Sequence, residues 1–175
     1  LMEFNPRMVD LSLSLTETIE LLIHAANVKD IEVRNCVTPE TMVYADPNML
    51  STMLRNLISN AIKFSHEGGL VEVSAVSTAA EGEPDMVRVD VRDAGIGMPE
   101  DVRSHIFNAE TPLSSAGTKG ETGTGLGLLL CREFAERGGG ALSVDSVEGE
   151  GSTFHFTLPT TELAERTQTE LAEAV

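Results

Sequence analysis

Residues 46–64 read DPNMLSTMLRNLISNAIKF. Asp46-Pro47 opens a helix: an N-cap carboxylate, then a proline at the first helical position, where its missing N–H is not needed. The apolar spacing carries the helix to about Phe64, and Glu67-Gly68-Gly69 stops it. At ~100° per residue, Asn56, Asn60 and Lys63 fall within an arc of about 60°. Leu50, Leu54, Leu57, Ile58 and Ala61 gather on the other side. One face is therefore core, and the other presents two amides and an ammonium. Amide carbonyls suit a hard cation such as Mg²⁺, and a lysine beside them suits phosphate. Taken alone, the same face also reads as ordinary solvated surface.

Outward from this helix the pattern alternates between periods of about 3.6 and 2. Leu11, Leu15, Ile19, Leu22, Ile23 and Ala26 predict a helix over 11–28, capped by Asp10 or Ser12. Ile31 to Val37, Met42 to Ala45, Leu70 to Val76 and Met86 to Val91 predict strands, with Val87, Val89 and Val91 on one face of the last. Residues 77–85 are a polar connecting loop. Pro99 to Phe107 predicts a short helix, and Leu126 to Arg137 a longer one ended by Gly138-Gly139-Gly140. Ala141 to Val147 and Thr153 to Leu158 predict a hairpin around Glu148-Gly149-Glu150-Gly151. Residues 108–124 are rich in glycine and threonine and have no period; a loop this long in a compact domain is usually functional or disordered. Strands cluster with helices between them, which predicts an α+β, two-layer sandwich: a mixed sheet covered on one face by helices.

Two glycine-containing stretches bear chemistry. Asp93-Ala94-Gly95-Ile96-Gly97-Met98-Pro99 follows a strand directly. A carboxylate there accepts from an exocyclic amine, and glycines let a planar ligand approach the backbone. Gly123-Thr124-Gly125-Leu126-Gly127-Leu128 sits where the long loop meets a helix. Exposed N–H groups at a helix N-terminus favour phosphate. This is not the dinucleotide fingerprint, because no strand leads into it, and it lacks the Lys-Ser/Thr of the phosphate loop.

Composition limits the partners. The chain has 175 residues, with 12 Lys plus Arg against 28 Asp plus Glu, a net charge of −16. That excludes nucleic acid and anionic membrane as bulk partners but allows a small anion in a locally positive pocket. Apolar residues at 41 % make the chain globular, and a domain of this size buries roughly two-thirds of its unfolded surface without staples. No apolar run reaches ~18 residues. Cys36 and Cys131 lack metal spacing and read as buried, reduced thiols of a cytoplasmic protein. His66, His105 and His155 stand at no metal or triad spacing in the sequence.

Together, Asn56 to Phe64, Asp93 to Met98, the long loop, Gly123 to Leu128 and Gly149-Glu150-Gly151-Ser152-Thr153-Phe154 resemble, in this order, the ATP-binding catalytic domain of sensor histidine kinases. These belong to the Bergerat ATPase–kinase superfamily. The resemblance covers about Ile31 to Pro159 and implies a Bergerat fold over 31–160 with a long ATP lid. Residues 1–30 then read as the segment joining it to a dimerisation and phosphoacceptor domain not in this chain, and 161–175 as a polar tail.

The resemblance implies ATP and Mg²⁺ as cofactors. It makes Asn60 the metal ligand, Asn56 its support, and Lys63 and Lys119 phosphate contacts. Asn56, Lys63 and Lys119 are then the catalytic set. Phe64, Ile96, Gly97, Met98 and Phe107 border the nucleotide, and Asp93 accepts the adenine amino group. Gly123, Thr124, Gly125, Leu126 and Gly127 wrap the phosphates, and Thr153 reaches adenine through water. The start of the lid departs from the family in supplying one phenylalanine, Phe107, instead of two. Implied partners are ATP, the phosphoacceptor domain, a response-regulator receiver domain reached indirectly, and a second copy in a full-length dimer. The domain is expected in the cytoplasm, whether or not the parent protein is anchored in a membrane. His24 lacks the acidic neighbour of the family's acceptor histidine and is not expected to be phosphorylated. Two alternatives stand beside this reading: a nucleotide-binding module without histidine transfer, and an anti-sigma-factor serine kinase. ATP-hydrolysing relatives carry a glutamate general base where this chain has Asn56, whose amide takes no proton from water.

Overall fold

The structure is a computed structural model that describes residues 3–78, 85–108, 117–121 and 125–161. The helix expected at 46–64 forms as α2 (Pro47–Phe64). Asp46 Oδ1 accepts from Asn48 N at 2.9 Å and Met49 N at 3.1 Å, two of the N–H groups a helix start leaves unpaired. Its Oδ2 accepts from Asn5 N at 2.8 Å, which ties the N-terminal segment to this cap. Burial of Asp46 works to raise its pKa, but these three N–H donors and the charge of Arg137 outweigh it and hold the carboxyl below its ordinary range. Met49, Leu50, Met53, Leu54, Leu57, Ile58, Ala61 and Ile62 are buried and form the centre of the core. Each large apolar side chain fully buried there stabilises the fold by roughly 1.5–3 kcal/mol.

Five strands make the main sheet: β2 (Glu32–Asn35), β4 (Leu70–Ser77), β5 (Met86–Asp93), β7 (Gly151–Pro159) and β6 (Leu142–Val147), in that spatial order. β2 runs parallel to β4 and the other pairs are antiparallel, so the sheet is mixed. The central strands alternate. Val87, Val89, Val91 and Asp93 of β5, and Ser152, Phe154, Phe156 and Leu158 of β7, are buried, while the residues between them are mostly less so. α1 (Leu11–Val28), α2 and α4 (Gly127–Arg137) pack on that buried face. The short helix expected after Pro99 forms as α3 (Glu100–Arg103), with turns carrying it on toward Phe107. The α+β sandwich expected from the pattern is the fold observed.

Met42–Ala45, expected as a strand, does form one, β3, but it does not join the main sheet. It pairs antiparallel with β1 (Arg7–Asp10), a strand not foreseen in the sequence, in a separate two-stranded sheet. The segment read as a joining piece therefore also builds the core. Leu11 and Leu15 of α1 are fully buried, and the Asn35 amide ties β2 to the Ser12 carbonyl and the Thr16 hydroxyl at 3.0 Å each. Of the two thiols, Cys131 is buried but Cys36 is exposed, which corrects the expectation for Cys36. Among the described residues no helix is long and apolar enough to cross a membrane.

Candidate functional site

The last turn of α2 is where the chemistry-bearing segments converge. Asn56, Asn60, Lys63 and Phe64 lie half-buried along α2, between its core face and solvent. Among the described residues nothing hydrogen-bonds the Asn60 amide. The Lys63 ammonium stands 4.8 Å from the Phe64 ring centroid, a cation–π contact. Ile96 N donates to the Phe64 carbonyl at 3.1 Å, and Thr118 N to the Lys63 carbonyl at 3.1 Å. Gly127, the first residue of α4, meets Asn56: a Cβ added there would stand 3.0 Å from Asn56 Oδ1. The start of α4, beside Asn56, has no side-chain cap, and a helix N-terminus carries partial positive charge. A groove continues from Asn56 between α2 and α4, lined by Thr52, Arg55, Leu130 and Glu133.

Asp93 ends β5 on the helix-covered face and is buried. Its Oδ1 accepts from Gly95 N at 2.9 Å and Ser152 N at 3.3 Å. Desolvation outweighs both donors and pushes the carboxyl pKa above its ordinary value. Among the described residues no group donates to Oδ2, and Oδ2 is not sealed from solvent. A buried, strained-in-charge carboxylate with one free acceptor is the pattern of a ligand-reading group.

The loop after Asp93 is gripped from two sides. Gly149 N donates to the Ile96 carbonyl at 2.7 Å, opposite the bond to Phe64. Gly97 has φ +60, and a Cβ there would lie 1.9 Å from the Val147 carbonyl oxygen. No side chain fits. Gly97→Ala is expected to lower the melting temperature by the equivalent of about 1–3 kcal/mol, through overpacking and left-handed strain. Thermal denaturation of the nucleotide-free chain checks it; an unchanged midpoint would show that the loop gives way freely.

The structure separates some expected residues from the rest. Thr153 pairs with Arg92 on the opposite face of the sheet from Asp93, because strand side chains alternate. Ser152, directly across from Asp93, takes the place expected of Thr153. Its hydroxyl is 2.8 Å from that of Ser146. Register alone decides which of Ser152 and Thr153 shares a face with Asp93. The Lys119 ammonium stands 3.3 Å from the Val28 carbonyl at the end of α1 and 3.1 Å from Glu67 after α2, both at the surface. Met98 and Phe107 pack against the core as half-buried side chains, while Ile96 and Leu126 are exposed. Gly125 has φ +71 at the approach to α4. Gly123 and Thr124 lie outside the described residues.

Three further features stand out, and of these only the burial of Cys131 had a signal in the sequence. Lys29 is buried against the end of α2. Cys131, under Asn56, is a buried thiol whose pKa burial pushes up to about 12, with a hydrogen bond from Asn56 opposing the rise. It stays protonated and serves as packing. His155 bridges Asp90 at 2.7 Å and Asp145 at 2.9 Å on the open face of the sheet, a contact that strand pairing creates.

Residues 45–162 match the family model described as histidine kinase-, DNA gyrase B-, and HSP90-like ATPase. The chain is 37 % identical over 147 residues to the sensor protein GacS of Pseudomonas syringae pv. syringae, covering 82 % of this chain and 16 % of that protein. The chain thus spans only about a sixth of that relative's length. Among solved structures it resembles the mycobacterial sensor histidine kinase MprB (TM-score 0.74, 27 % identity, 91 % of this chain and 100 % of that one). It also resembles full-length ShkA in complex with AMPPNP (TM-score 0.72, 32 % identity, 91 % of this chain and 32 % of that one). The family match spans α2, the Asp93 loop, the start of α4 and the β6–β7 hairpin together, and the chain belongs to the histidine kinase-, DNA gyrase B- and HSP90-like ATPase family.

Proposed function

We propose that this chain is the ATP-binding catalytic unit of a two-component sensor histidine kinase. It holds Mg-ATP and hands the γ-phosphoryl group to a histidine on a separate dimerisation and phosphoacceptor domain, from which a response-regulator receiver domain draws it. In this reading the unit works in the cytoplasm, as one half of a dimer, joined through residues 1–30. The observation that carries the proposal is Asp93, a buried carboxylate with Oδ2 free, set beside the last turn of a helix that presents Asn56, Asn60 and Lys63. The likeness to ShkA, solved with an ATP analogue, supports a nucleotide in this place.

The donor set fits magnesium carried by a phosphate. Among the described residues no three His, Cys, Asp or Glu side chains gather as a metal cage. Mg²⁺ commonly keeps its waters and takes one or two protein oxygens plus substrate phosphates, and the unpartnered Asn60 amide offers such an oxygen. When bound, the ion neutralises phosphate charge. Asn60 would hold it, with Asn56 beside it. Lys63 places positive charge at the phosphates, the N–H groups at the start of α4 donate to them, and Asp93 with Ser152 orients the base. In transfer, the bond from the γ-phosphorus to its bridging oxygen breaks as a bond to the acceptor histidine nitrogen forms. The protein's share of such a step is positioning and charge neutralisation.

Asn56 stands where hydrolysing relatives keep a glutamate base, which favours transfer over hydrolysis. The exposed His24, without an acidic neighbour, is not the acceptor. With labelled ATP, this chain alone is expected to gain no stable label. Adding a separate dimerisation domain with its acceptor histidine should yield an acid-labile, base-stable phosphate on that domain. Rapid labelling of this chain by itself, or no labelling of any partner domain, overturns the reading in favour of self-modification or a non-transferring nucleotide module.

A further inference from the structure

Lys29 caps the end of α1, and its side chain is almost wholly buried, 3 % exposed. A buried ammonium is costly unless paired and hydrogen-bonded. Its Nζ donates to the Ile62 and Lys63 carbonyls at 2.8 Å each, at the C-terminal end of α2, where unpaired carbonyls and the helix dipole favour a cation. It also donates to Thr118 Oγ1 and meets Glu121 Oε1 at 3.1 Å. Thr118 Oγ1 in turn donates to the Ser65 carbonyl at 2.7 Å. Residues 117–121 form a closed turn, with Gly117 N donating to the Glu121 carbonyl at 2.9 Å, and both of its inward side chains end on Lys29. The turn lies against Lys63 itself, since a Cβ on Gly117 would meet the Lys63 side chain at 2.6 Å.

We propose that Lys29 is a positioning residue for the nucleotide site: through Glu121 and Thr118 it bolts the 117–121 turn to the last turn of α2, beside Lys63. The inference rests on the nucleotide reading of α2. Two carbonyls satisfy donors but supply no counter-charge, and Glu121 supplies it. The turn offers no apolar side chain to bury, so polar anchors must hold it. Anchoring fixes the backbone next to Lys63 before any phosphate arrives, which reduces the ordering cost of binding. The base is read at Asp93, outside this anchor. Loss of the bolt therefore weakens the phosphate-bearing part of the ligand selectively.

The test uses the full 175-residue chain with Lys29→Met and Glu121→Gln. Glu121→Gln keeps the side-chain length and changes a partly exposed group, so it decides the matter even where Lys29→Met does not fold. In the nucleotide-free chain, amide hydrogen exchange over 117–121 is expected to quicken about tenfold or more when a charged hydrogen bond is lost. ATP affinity should fall about tenfold by the same loss, and adenosine affinity should stay within about twofold. Unchanged exchange and unchanged ATP affinity in Glu121→Gln overturn the proposal. So does an equal loss for ATP and adenosine, which would mean general damage to the fold. Failure of the wild-type chain to bind either ligand overturns the nucleotide reading instead, and the exchange measurement, made without ligand, still decides the anchor.

Discussion

Asn60→Ala is expected to abolish magnesium-dependent nucleotide binding and leave the fold standing. The side chain lies half-buried on α2, off the core stripe, and no described residue hydrogen-bonds it. Its removal therefore leaves no cavity and no orphaned partner, and alanine is the better helix former. Under the proposed function, what is lost is a neutral oxygen offered to the phosphate-borne metal. Disturbing a metal's ligand shell costs about 10- to 100-fold in affinity or activity. A site whose metal is held mostly by phosphates has few protein ligands to share that loss. Titration with a fluorescent ATP analogue, with Mg²⁺ and then with a chelator, measures it. The wild-type chain should bind much more tightly with metal, and the variant should bind as the wild type does without it. An undiminished magnesium effect in Asn60→Ala would remove Asn60 from the metal's coordination.

Asp93→Asn is expected to move stability and binding in opposite directions. The carboxylate is an acceptor only, and a charged hydrogen bond of this sort is worth ~1.5–3 kcal/mol, or about 10- to 150-fold in affinity for an adenine nucleotide. Its replacement by an amide should weaken ATP binding by that amount. In the nucleotide-free chain the same change removes a charge that burial disfavours. Burial, the larger influence, raises the Asp93 pKa over the lowering by Gly95 and Ser152. The folded state therefore keeps its proton to higher pH than the unfolded chain does. The stability this contributes is fully present below the unfolded-state value of 3.8 and is lost as pH rises through the folded-state value. Melting temperatures of wild type and variant should diverge over that window, in the variant's favour. Calorimetry across acid to neutral pH tests the stability half. Competition between ATP and GTP tests the other. Equal binding of both purines by the wild type would show that Asp93 does not read the adenine amine.

α2 was legible in advance almost residue by residue, because its signals are local. Asp46-Pro47 starts it, the 3.6-residue spacing sets its buried stripe, and Glu67-Gly68-Gly69 closes it. The same holds for β5 and the β6–β7 hairpin, where a period of two and a glycine turn carry the information. The ring of groups around α2 was visible as motifs in a fixed order along the chain.

What escaped depends on which strand lies beside which. Thr153 and Ser152 are neighbours in sequence but point to opposite faces, and only the pairing of Ser152 with Asp93 chooses between them. Met42–Ala45 has a strand's composition, yet its partner is Arg7–Asp10 and not the main sheet, a matter of long-range pairing that no local period encodes. Lys119 lies inside the long loop, and only the tertiary structure sets its ammonium beside Glu67 and the Val28 carbonyl. Lys29 looked like any lysine at a helix end, the residue type most often left in water. Its burial follows from three segments far apart in the chain, α1, α2 and 117–121, meeting at one point. The sequence by itself determined the elements, their amphipathic faces and the residue types offered to a ligand, because these rest on interactions within a few residues. Only the tertiary structure decided register, sheet membership and the pairing of buried charge, because each joins groups that the chain keeps tens of residues apart.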